Sequence, residues 1–78
     1  MIVTMHDGAA FEGRDAKAIV RQMKHADWGA PPKKQAYMIE VVERLADLGV
    51  VHVQAVRTTF PIVFLEDLAV AGLCRIEY

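Results

Sequence analysis

Seventy-eight residues form a single domain, 1–78. A domain this small covers only about 60% or slightly more of the surface its unfolded chain exposes. Net charge is −1, which excludes binding nucleic acid by overall charge. The lone Cys74 excludes an internal disulfide, and no apolar run is long enough to span a membrane, so the chain reads as cytoplasmic.

The first elements are two strands, Ile2 to His6 and Ala9 to Gly13, turned at Asp7-Gly8. A two-residue loop mixes apolar and polar side chains on both faces. A three-residue loop, His6-Asp7-Gly8, with Gly8 left-handed pairs Val3 with Phe11 and Met5 with Ala9. Those four then share one face, and Thr4, His6, Ala10 and Glu12 share the other, so the bulged register is expected. A first helix runs from about Asp15, its cap, to Asp27. Ala16, Ile19, Val20 and Met23 form its apolar stripe, and Gly29 with Pro31-Pro32 ends it. A second helix runs from about Pro32 to Leu48. Met38, Val41, Val42, Leu45 and Leu48 are its expected core stripe, widened by Ala36, Ile39 and Ala46, which implies burial on more than one side. Glu40 and Arg44 have the spacing of a helical ion pair.

Val50 to Val56 is β-branched and partly alternating and reads as a third strand. A third helix follows Thr58-Thr59 with Pro61 in its first turn, placing Phe64, Leu65 and Leu68 in the core, and stops at Gly72. Cys74 to Tyr78 alternates as a last strand with Cys74, Ile76 and Tyr78 inward. The expected fold is α+β in the order ββααβαβ: a small, mainly antiparallel sheet of hairpin plus C-terminal strand, with three helices packed on it.

The chain has no serine and no asparagine, which removes Ser-His-Asp hydrolysis and any mechanism that needs an asparagine orienter. His6, His25 and His52 lack metal-ligand spacing, and there is no CxxC. No phosphate-binding glycine loop is present. Glu66-Asp67 is the sole pair of adjacent carboxylates and reads as a solvated helix edge. No catalytic residue, metal site or cofactor is expected.

Two features remain as a binding surface. Arg14, Lys17, Arg21 and Lys24 recur at steps of three or four, opposite the apolar stripe of the first helix. Trp28, the sole tryptophan, leads through Gly29-Ala30-Pro31-Pro32 to Lys33 and Lys34. Positive charge in the first turn of the second helix opposes the helix dipole, and a bound anion would relieve that conflict. Trp28 is either a lid folded over the core or an exposed interface anchor. Lys24, Trp28, Lys33 and Lys34 are expected to converge at the corner between the first two helices. The apolar content, 54% without glycine, exceeds the roughly 45–50% with glycine of typical domains. It is met by a tight core with some exposed apolar surface or by a covering second chain.

The segments MIVTMHDGAAFEGRDAKAIVRQM and FLEDLAVAGLCRIEY give an organisation similar to that of small phage and mobile-element proteins of the anti-CRISPR type. That resemblance is architectural. It implies a non-catalytic protein that acts by occupying a surface of a macromolecular complex, and it assigns no residue. FLEDLAVAGLCRIEY is also similar to the end of a winged-helix domain, but here a single strand follows, and the helix over 61–71 carries Glu66 and Asp67 with no basic residue to read a groove. The expectation is a self-associating protein-interaction module with a protein partner. The alternative is a nucleic-acid-binding regulator using the basic face of the first helix with Lys33 and Lys34.

Overall fold

The computed structural model describes all residues, Met1–Tyr78. β1 (Ile2–Met5) and β2 (Ala10–Glu12) form the hairpin. They are followed by α1 (Ala16–Ala26) and α2 (Lys34–Asp47). A 3-10 turn at Val53–Ala55, α3 (Pro61–Val70) and β3 (Cys74–Glu77) complete the chain. The fold is α+β, with a fully antiparallel three-stranded sheet ordered β2-β1-β3.

The hairpin adopts the bulged register. Val3 pairs with Phe11, and the Met5 N–H donates to the Ala9 carbonyl at 2.7 Å. Gly8 sits at φ +94°, a conformation that costs a residue with a Cβ roughly 1–2 kcal/mol. On the other side of β1, Val3 pairs with Ile76 and Met5 with Cys74. Val3, Met5, Phe11, Cys74 and Ile76 therefore share the face toward the helices, since paired residues in a ladder point the same way.

All helices pack on that one face. α3 lies against β3 and α1, α1 also contacts β2 and α2, and α2 closes the layer with the 3-10 turn. Asp15 caps α1, its Oδ1 accepting from the Ala18 N–H at 2.9 Å. Ala16, Ile19, Val20 and Met23 are all buried, as their spacing requires. From α3, Phe64, Leu65 and Leu68 enter the same core, which holds 13 residues and no charged group.

Five expectations are corrected. Val50 to Val56 is not a strand: its only regular piece is the 3-10 turn, and Val50 and Val53 are half-exposed. The segment pairs with neither outer strand of the sheet and packs against α2 instead, and β-branched residues without a ladder partner do not make a strand whatever their propensity. α2 begins at Lys34, not Pro32, and is buried on one side only, through Tyr37, Met38 and Val42. Leu48, expected in its core stripe, is 73% exposed past the end of the helix, while Tyr37, on the same stripe one turn before Val41, takes a core place that the expected stripe left out. Tyr78, expected inward, is largely exposed, with its hydroxyl 3.1 Å from a Glu66 carboxylate oxygen.

Candidate functional site

α1 fixes the basic stripe. Its buried residues point its opposite side outward, and Lys17 and Arg21 lie there, exposed, with Lys24 half-exposed in the last turn. Arg14 precedes the Asp15 cap, so it extends the stripe from a loop rather than from the helix. The Lys24 ammonium donates to the Pro32 carbonyl, which ties the stripe to the segment entering α2.

Lys34 opens α2 within this field. Its ammonium is held below the usual lysine value by partial desolvation and by the positive charges of Lys17, Arg21 and Lys24, against a smaller opposing effect from Asp15. Four of the expected residues thus form one electrostatic unit. Lys33 is the N-cap residue of α2 and offers no side-chain cap, so the first turn of α2 receives no acceptor from it.

Ion pairing elsewhere sharpens the contrast. Arg44 bridges Asp27 at 3.2 Å and Glu40 at 3.8 Å, and Arg57 meets Asp67 at 2.9 Å. None of Arg14, Lys17, Arg21, Lys24, Lys33 and Lys34 lies within ion-pair distance of a carboxylate. The same six are all the basic side chains of the first half of the chain, residues 1–39.

Trp28 is not a lid. It is 98% exposed. The Ala30 N–H donates to the Asp27 carbonyl at 3.1 Å and Gly29 sits at φ +82°, so Trp28 and Gly29 form the apex of a tight turn directed away from the core. The Asp27–Arg44 pair anchors that turn to α2.

At the other end of the stripe an open hollow of about 530 Å³ lies between the start of α1 and the start of α3. Arg14, Asp15 and Lys17 stand on its rim, and Phe60, Pro61, Ile62 and Tyr78 supply apolar wall. Phe60 is 62% exposed because it is the N-cap residue of α3, outside that helix's buried stripe. The Gln35 side-chain amide reaches the Thr58 carbonyl at 3.5 Å and joins the first turn of α2 to this loop. Sequence reasoning missed the hollow. Its available signal was an aromatic residue immediately before a helix-opening proline.

Tyr37 lines a separate cavity of about 310 Å³ between the hairpin and α2. Burial, then the nearby Asp27 charge, pushes its phenol up to about 12, so it stays neutral and structural. Burial also raises the Cys74 thiol, whose Sγ approaches the Leu65 carbonyl at 3.6 Å. No three His, Cys, Asp or Glu side chains gather as a metal-binding group, and no helix is long and apolar enough to cross a membrane.

Comparison with protein-family models, curated proteins and solved structures gives no match.

Proposed function

We propose that the chain is a non-catalytic interaction module that docks an acidic, partly apolar protein surface on the face built by α1, the first turn of α2 and the loop before α3. One observation carries the reading: six unpaired positive side chains run between an exposed Trp28 and the Phe60 hollow. Unpaired charge attracts an anionic partner from a distance, and exposed aromatic side chains supply the anchors that hold it. A phosphate backbone would use the charges but leave the apolar wall at Phe60, Ile62 and Tyr78 without a role, which favours protein over nucleic acid. The concrete form is an inhibitor of the mobile-element kind that covers a functional surface of a macromolecular complex.

Trp28 is the only tryptophan and serves as its own reporter. A peptide alternating glutamate with leucine should shift its emission to the blue and saturate. Lys17→Glu with Lys34→Glu should weaken that binding at least about 10-fold while circular dichroism stays unchanged. Tighter binding of duplex DNA than of the peptide would move the reading to the nucleic-acid regulator. A flat titration with both ligands removes the site.

A further inference from the structure

β3 is an edge strand, hydrogen-bonded to β1 on one side alone. The direction of its free backbone groups follows from the ladder. The Met5 N–H donates to the Ala9 carbonyl and the Gly13 N–H to the Met1 carbonyl, so odd-numbered residues of β1 turn their polar groups to β2. The His6 N–H donates to the Leu73 carbonyl at 2.9 Å, so even-numbered ones turn to β3. Thr4 opposite Arg75 and Ile2 opposite Glu77 continue that alternation. Arg75 and Glu77 therefore use their backbone groups on β1, while Cys74, Ile76 and Tyr78 present theirs along the open edge.

We infer that a second copy of this chain pairs with that edge, β3 against β3 and antiparallel, in the register centred on Ile76. Backbone alternation permits only pairings that set 74, 76 and 78 against one another. Centring on Arg75 places arginine against the partner's Arg75, and centring on Glu77 places glutamate against the partner's Glu77. Like charges directly opposite are destabilising. Centring on Ile76 places Arg75 against the partner's Glu77 and, by symmetry, Glu77 against the partner's Arg75. It also sets Cys74 opposite the partner's Tyr78, the longest overlap the strand allows. A two-fold interface has to be self-complementary, and this short strand is so in one register.

The helix-side face fits the same arrangement. Between α3 and β3 runs an open groove of about 540 Å³ with apolar lining from Ala69, Val70, Cys74 and Ile76, to which Glu66, Arg75 and Tyr78 add polar groups. Val70 is 89% exposed and Tyr78 79%, both beside the unpaired edge. Pairing at Ile76 sets each Tyr78 beside the other copy's Cys74, at the margin of that copy's groove. Arg75 and Glu77, exposed on the outer face and without ion-pair partners within the chain, find them across the two-fold axis. The product is one continuous sheet of twice three strands, with both open β3 edges closed. The arrangement is independent of the basic face and shares with it only Tyr78.

Charge exchange tests it. Sedimentation equilibrium of the wild-type chain should give twice 8.7 kDa at micromolar concentration. Arg75→Glu alone, or Glu77→Arg alone, sets like charges together at both symmetric positions and should weaken dimerisation about 10-fold. An equimolar mixture of the two single variants should recover a dimer, resolved as a heterodimer by native mass spectrometry. The double variant Arg75→Glu/Glu77→Arg should recover a homodimer. Circular dichroism on each variant separates loss of pairing from loss of fold. A wild-type monomer overturns the proposal, as does a dimer indifferent to both single variants. A dimer broken by either variant but not restored on mixing overturns the register. None of these outcomes bears on peptide binding at Lys17 and Lys34.

Discussion

Asp67 shows how a residue acquires its role from a distant part of the chain. Its Oδ2 accepts from the Arg57 backbone N–H at 2.8 Å and from Nε at 2.9 Å, and its Oδ1 accepts from an Nη at 3.1 Å. The carboxylate thereby fixes the loop entering α3 to the second turn of the same helix. Beside Glu66 in the sequence it looks like half of a solvated pair, because nothing local announces an arginine ten residues earlier. Those hydrogen bonds hold its carboxyl below the usual aspartate value, the Arg57 side-chain bond contributing most. The sign follows from linkage. A carboxyl with a lowered folded-state pKa contributes stability above its unfolded pKa and loses it as pH falls through the folded one. Urea midpoints should therefore decline on the acid side of pH 4 more steeply for the wild type than for Asp67→Asn, whose midpoint at neutral pH is already lower. Parallel acid limbs in the two proteins would mean that Asp67 does not carry the effect.

Elements were legible where periodicity and local chemistry agreed. The bulged hairpin follows from putting Val3, Met5 and Phe11 on one face, and α1 follows from the Asp15 cap with an unbroken apolar stripe. α2 was harder. Its apolar residues cover most of its girth, so composition does not say which side is inside, and contact with α1 and the 3-10 turn decided for Tyr37, Met38 and Val42. Val50 to Val56 has the composition of a strand, yet a strand needs a ladder partner, and this segment packs against α2 instead, which a segment-by-segment reading does not contain. Two leucines separate these cases experimentally. Leu68 has no exposed surface, so Leu68→Ala should cost about 2–5 kcal/mol, much of the stability of a domain this size. Leu48 fits the helical stripe equally well by spacing but is 73% exposed, so Leu48→Ala should stay within about 0.5 kcal/mol. Equal losses in chemical denaturation would contradict the placement of the end of α2.

At the scale of the molecule, the apolar content and the size of the core do not balance. Thirteen buried residues close the interior, while Trp28, Leu48, Phe60, Val70 and Tyr78 remain more than half exposed. The spacing of Lys17, Arg21 and Lys24 on one side of α1 was legible because helical charge spacing survives folding, whereas the Phe60 hollow and the β3 edge required knowing which elements meet. Trp28 and Phe60 belong to the docking face proposed above; Val70 and Tyr78 flank β3. If β3 pairs with a second copy, burial of that apolar surface couples association to folding, because the unfolded chain has no edge to offer. Stabilisation by a partner grows with the logarithm of its concentration above the dissociation constant. The melting temperature of the wild-type chain should therefore rise with protein concentration, by several degrees for each kcal/mol gained at this chain length. Arg75→Glu, which removes the charge match while leaving every core contact in place, should begin that rise only at about 10-fold higher protein concentration. A wild-type melting temperature independent of concentration would mean that these thirteen buried residues sustain the fold unaided.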